Sequence, residues 1–199
     1  MNKMELEKYI QKYNPKAIFL KGSRMFNINS PVSDNDIEIL IDSDFLPQTI
    51  KDDTPDKIDV FFVNYKLNTS TKNKKFKEIS LLQYLFLKPE HILYKSVDFD
   101  FEAFKKPILN QKNELIMSFI KSVWATIRYY GYSKYSKKNI YHICYISSLV
   151  DNSEPNWEII KRLKEFSEDK EDQKYYDTCR IKLLNFYINN KIEELSKTL

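Results

Sequence analysis

The sequence predicts an α+β chain: a small mixed sheet with flanking helices, followed by a helical bundle. Three observations predict it. Short apolar runs separated by turn residues fill the first part of the chain, long stretches of helical periodicity fill the rest, and the pattern changes near residue 105. The expected division is therefore 1–105 and 106–199, with no internal repeat.

The elements follow in order. Residues 3–13 place Leu6, Tyr9, Ile10 and Tyr13 on one helical face, and Asn14-Pro15 ends that helix. Ala17 to Lys21 is a short apolar run suited to a buried strand, broken by Gly22, and a short helix can begin after Ser23. Residues 27–33 are turn-like. From Asp36 to Asp42 the chain alternates, with Ile37, Ile39 and Ile41 on one side and Asp36, Glu38 and Leu40 on the other. A loop with two prolines spans 43–56, and Lys57 to Asn64 reads as a third strand. Lys72 to Lys77 is a basic connector that suits a solvated linker or an RNA backbone contact. Helices are then expected over 76–87, 112–130, 137–150, 156–167 and 171–197.

Composition narrows the chemistry. Of 199 residues, 42% are hydrophobic and 30% charged, which fits a folded chain. No apolar run approaches the roughly 20 residues of a membrane span, and the first residues lack the apolar core of a secretory signal, so a cytoplasmic protein without membrane contact is expected. The net charge of +4 permits a polyanionic partner without requiring one. Cys144 and Cys179 lie in helix-like stretches outside any metal-binding spacing and read as buried small residues. With only two histidines, His91 and His142, chemistry must rest on carboxylates, lysines and hydroxyls.

Three features stand out against that background. Gly22, one of only two glycines, follows the first strand and precedes Ser23. A glycine lets a ligand approach the backbone, and a hydroxyl at a helix start suits a phosphate; a plain turn with an N-cap would look the same. Asp34 and Asp36 flank Asn35, so an extended chain aims both carboxylates to one side. That pair suits a hard cation such as Mg2+, and equally a solvated turn. Asp59 interrupts the apolar run Ile58-Asp59-Val60-Phe61-Phe62-Val63; it either faces water on an edge or joins the other carboxylates if its strand neighbours theirs.

Taken together, Phe19-Leu20-Lys21-Gly22-Ser23-Arg24, then Ser33-Asp34-Asn35-Asp36-Ile37-Glu38-Ile39, then Ile58-Asp59-Val60 resemble the DNA polymerase beta-like nucleotidyltransferase superfamily. The resemblance covers roughly residues 15–64. It implies a minimal nucleotidyltransferase sheet, and transfer of a nucleoside monophosphate from an NTP, with ATP the expected donor, to a hydroxyl on RNA, a protein or a small molecule. It implies two Mg2+ or Mn2+ ions on Asp34, Asp36 and Asp59, with these three carboxylates as the catalytic residues. Gly22, Ser23, Arg24 and Lys21 would meet the phosphates, although Lys21 at a strand end also suits plain solvent exposure. Glu38 is expected to be structural or partly exposed. A narrower similarity, to nucleotidyltransferases associated with RNA ligases in bacteria and phages, rests on Gly-Ser-Arg, Ser-Asp-Asn-Asp-Ile and Leu87-Lys88-Pro89-Glu90-His91-Ile92-Leu93-Tyr94. In that group a short apolar helix follows the proline, and Lys138 and His142 would contact the nucleotide; here the Gly-Asn before the proline and the arginine after the histidine are missing.

Other readings of the same residues stay open. The fold can serve as a non-catalytic RNA-binding or toxin/antitoxin-type module, or the carboxylates can activate water in a phosphohydrolase. Tyr129, Tyr130, Tyr132 and Tyr135, with Lys134, Lys137 and Lys138 close by, suit either base stacking or helix packing. His142 on an apolar helix face also reads as a core histidine.

Overall fold

The computed structural model describes residues 3–29, 35–51, 58–66, 77–124, 137–165 and 167–197. The chain forms two compact units, Met1–Asn110 and Gln111–Leu199.

The first unit is built on a four-stranded mixed sheet. Helix α1 (Lys3–Tyr13) leads into β1 (Ala17–Lys21), a one-turn helix α2 (Gly22–Met25), β2 (Asn35–Ile41) and β3 (Ile58–Asn64). Then come α3 (Lys77–Tyr84), a 3-10 turn (Pro89–His91), β4 (Ile92–Lys95) and α4 (Phe101–Asn110). The strand order is β3-β2-β1-β4. β1 runs antiparallel to β2 and β4, while β2 and β3 are parallel. A parallel pair needs a crossover, and part of that connection returns along the sheet, where Ile50 exchanges backbone hydrogen bonds with Val60 at 3.1 and 2.8 Å.

Period-2 alternation sorts the strands' side chains onto two faces. Ile18, Ile37, Ile39, Ile41, Ile58, Val60 and Phe62 form one apolar face, and Leu6, Tyr9, Ile10 and Tyr13 of α1 pack onto it. Tyr13 meets Phe62 edge to face at 4.8 Å. On the opposite face an aromatic cluster replaces the aliphatic one. Phe19 lies 5.8 Å from both Phe99 and Phe104, and Tyr84 of α3 lies 5.1 Å from Phe104 of α4. The sheet is thus sandwiched between α1 on one side and α3 with α4 on the other.

Left-handed residues close three helices. Asn14, Asn27 and Asn152 carry positive φ angles of 42°, 55° and 56°. Asparagine tolerates that region better than other residues with a Cβ, so a chain with two glycines still ends its helices sharply.

The second unit is helical: α5 (Lys112–Ser122), α6 (Lys137–Asp151), α7 (Trp157–Lys164) and α8 (Lys170–Ser196). Asn156 caps α7 through the Ile159 N–H, and Asp169 caps α8 through the N–H groups of Glu171 and Asp172. Arg162 clamps the buried Asp172 with two hydrogen bonds of 2.9 and 2.6 Å, tying α7 to α8. That guanidinium holds the Asp172 carboxyl below its ordinary value.

The sheet, its flanking helices and the helical second unit make this an α+β protein. Two elements differ from the sequence reading. The segment after Pro89 forms a strand, β4, at the sheet edge rather than a short apolar helix. Residues 101–110 form a helix that the sequence reading did not contain, with Pro107 inside it. Among the described residues, no helix is long and apolar enough to cross a membrane.

Candidate active site

The site begins where β1 ends. Gly22 has φ +68°, in the left-handed region, and follows Lys21 directly. That conformation turns the chain out of the strand and into α2. Position 22 also lacks space for a side chain. A Cβ there would lie 2.4 Å from Oδ2 of Asp36 and 3.3 Å from its Cγ. Both the φ angle and the close approach favour glycine. The backbone of residue 22 therefore lies directly against the Asp36 carboxylate.

Asp36 is brought there by register. It pairs with Lys21 across the antiparallel β1–β2 ladder and with Asp59 across the parallel β2–β3 ladder. Paired residues on neighbouring strands share a face, with strands about 4.8 Å apart. Asp36 and Asp59 thus sit side by side, both half-buried, on the sheet face opposite α1. Two carboxylates so placed repel one another unless a cation or proton intervenes. Their hard oxygens are the donors that Mg2+ or Mn2+ prefers, so these two residues fit such an ion. Among the described residues, no group of three His, Cys, Asp or Glu side chains is placed to hold a metal. Asp34, the third expected ligand, lies outside the described residues.

Ser23 and Arg24 follow on α2 and are half-buried. The Ser23 carbonyl accepts from the Ile28 N–H at 2.9 Å, which fixes the turn after the helix. Gly22, Ser23, Arg24, Asp36 and Asp59 are therefore carried on three consecutive elements of the sheet end where β1 finishes and β2 and β3 start.

Lys21 departs from its expected place. Instead of meeting solvent or phosphate at a strand end, its side chain is fully buried. Nζ lies 3.5 Å from Oε2 of the equally buried Glu38, donates to the Ser80 carbonyl at 3.3 Å, and sits 3.9 Å from the centre of the Tyr84 ring. The Tyr84 hydroxyl donates to the same Glu38 oxygen. Burial and the neighbouring Glu38 charge push the Tyr84 phenol well above its usual value, so it stays a donor. In this arrangement Lys21 touches no solute. Glu38 is wholly inside the protein, without the partial exposure the sequence left open.

His142 is likewise a core residue. It is buried in α6, with Nδ1 2.8 Å from the Tyr145 hydroxyl and its ring 3.9 Å from that of Tyr141. A nucleotide contact for it is not supported, because its side chain is buried. The side chain of Lys138, the tyrosines at 129–135 and the lysines at 72–77 lie outside the described side chains.

No protein-family model matches the chain, and no curated protein matches it.

Proposed function

We propose that this protein is a divalent-metal-dependent nucleotidyltransferase working at the Gly22–Asp36–Asp59 sheet end. The observation that carries the reading is the register: Asp36 faces Asp59 on one side and abuts the Gly22 backbone on the other. The order of motifs in the sequence, with Asp34 two residues before Asp36, adds the third carboxylate.

In the proposed reaction an acceptor hydroxyl oxygen attacks the α-phosphorus of an NTP, ATP being the expected donor. A new P–O bond forms as the bond to the bridging α–β oxygen breaks, and pyrophosphate leaves with that electron pair. The bare backbone at Gly22 lets phosphate oxygens approach closely, the Ser23 hydroxyl donates a hydrogen bond to them, and Arg24 adds positive charge. Asp59 takes the proton from the attacking hydroxyl. Mg2+ or Mn2+, held by Asp34, Asp36 and Asp59, would lower the pKa of that hydroxyl and neutralise the triphosphate. The acceptor class, whether RNA end, protein or small molecule, is for the assay to identify.

The test is incubation of the full chain with Mg2+ or Mn2+, each α-32P-labelled NTP in turn, and cellular RNA plus lysate protein, with pyrophosphate release followed in parallel. Label on RNA or protein, or acceptor-dependent pyrophosphate release, is expected. It should fall on the order of 100-fold or more in Asp36→Asn. Neither label nor pyrophosphate from any NTP, with a folded protein, rejects the reading. Free NMP formed without an acceptor would point to a phosphohydrolase instead.

A further inference from the structure

We infer that Lys21, Glu38 and Tyr84 form a buried positioning cluster that holds Asp36 in place for cation binding. The inference rests on the proposed reading of Asp36.

Three elements converge in this cluster. Lys21 ends β1, Glu38 lies within β2, and Tyr84 ends α3. All three side chains are at most 1% exposed. Their polar atoms close on one Glu38 oxygen: Lys21 Nζ stands 3.5 Å away and the Tyr84 hydroxyl donates to it. Lys21 is further held by the Ser80 carbonyl at 3.3 Å and by the Tyr84 ring face.

The cluster's position links it to the site. Lys21 is the cross-strand partner of Asp36 and the residue before Gly22. Glu38 is two residues beyond Asp36, so it lies on the same face, one step further into the sheet. The cluster thus braces both backbones that carry the candidate site.

Stability alone gives little reason for such a cluster. Desolvating a lysine and a glutamate costs several kcal/mol per ion, and apolar residues of similar volume often replace a buried ion pair at no loss of stability. Tyr84 and Lys21 converging from two other elements on Oε2 of Glu38 supply something else, a single geometry for the strands that bear them. Partners of this kind, one layer behind a metal ligand, typically change metal affinity by about 10- to 100-fold when removed. Lys21 and Glu38 therefore act through Asp36 as positioning residues and do not touch the substrate.

The test compares the wild type, Asp36→Asn, and the triple variant Lys21→Met, Glu38→Met, Tyr84→Phe, which removes every polar side-chain atom of the cluster together and leaves no buried charge alone. Mn2+ binding is read from the loss of the free-ion EPR signal on titration, and folding from circular dichroism melts. The expected result is a triple variant that melts near or above the wild-type temperature and binds Mn2+ about 10- to 100-fold more weakly. Wild-type Mn2+ affinity in the triple variant overturns the inference. So does a triple variant that does not fold, because the cluster would then serve stability. Mn2+ binding by the wild type that Asp36→Asn leaves unchanged would remove the reading of Asp36 itself, and this inference with it.

Discussion

Replacing Gly22 by alanine separates folding from function, because the structure says where the strain goes. The new Cβ meets Oδ2 of Asp36 at 2.4 Å, a distance real Cβ atoms do not tolerate. The atom it meets is the end of a short, rotatable side chain, so Asp36 turns away and the strand stays. The φ of +68° costs a residue with a Cβ roughly 1–2 kcal/mol. A poorer rotamer at Asp36 adds about 0.5–1.5 kcal/mol. The sum, about 1.5–3.5 kcal/mol, lowers the melting temperature on the order of 10 °C for a unit of this size. The loss of Mn2+ binding should approach that of Asp36→Asn. Melts are best followed by far-UV circular dichroism, since both tryptophans, Trp124 and Trp157, belong to the Gln111–Leu199 unit and report on it. A double-mutant cycle isolates the clash. In an Asp36→Ala background the nearest remaining atom is the Cβ of residue 36 at 3.5 Å, an ordinary contact. Gly22→Ala should then cost about 0.5–1.5 kcal/mol less than in the wild type. Equal costs in the two backgrounds, or undiminished Mn2+ binding by Gly22→Ala, would refute the reasoning.

Three further outcomes follow from the same geometry. Asp59→Asn removes a like charge directly opposite Asp36, so without metal it should be as stable as the wild type or more stable by about 0.2–1 kcal/mol in urea denaturation, while the proposed nucleotidyl transfer should be lost. The Lys182 ammonium, 2.6 Å from Asp151, is the largest cause that draws the Asp151 carboxyl down from 3.8 to about 2. A depressed folded-state pKa means the bridge contributes fully above the unfolded carboxylate value and is lost as pH falls toward 2. The melting difference between wild type and Lys182→Met should therefore be constant from about pH 5 to 7 and shrink steeply between the two pKa values, 3.8 and about 2; an undiminished difference at pH 2 would show that the bridge is not its source. Cys144 and Cys179 are both buried free thiols, and although the hydrogen bond from Cys144 helps bring Cys179 down to about 7, burial should keep both inert. Ellman's reagent should find no reactive thiol in the folded protein and two after denaturation; rapid labelling of the native chain would contradict the packing.

Several elements were legible in the sequence because their signals are local. The apolar face of α1 is visible at i, i+3, i+4 and i+7, and the three strands β1 to β3 in their apolar or alternating runs. β4 was not legible: Ile92–Lys95 is four residues long and at the sheet edge, too short for alternation to declare itself. α4 was hidden by Pro107, which argues against a helix interior but here lies in a described helix. Lys21 and Glu38 misled for a related reason. Charged side chains are ordinarily exposed, and the partners that these two meet inside the protein come from α3: a hydroxyl that Tyr84 delivers to Glu38 from 46 residues further on, and the Tyr84 ring and Ser80 carbonyl for Lys21.

By itself, then, the sequence determined which carboxylates, glycine and hydroxyl were available and which sides of their strands they occupy, since alternation is a property of a few consecutive residues. Only the tertiary structure decided that Asp36 stands between Asp59 and the Gly22 backbone, because strand order and register depend on contacts between distant segments. The same non-local packing turned Lys21 from a candidate phosphate contact into the buried partner of Glu38, as enclosure by α3 leaves its ammonium no route to a solute.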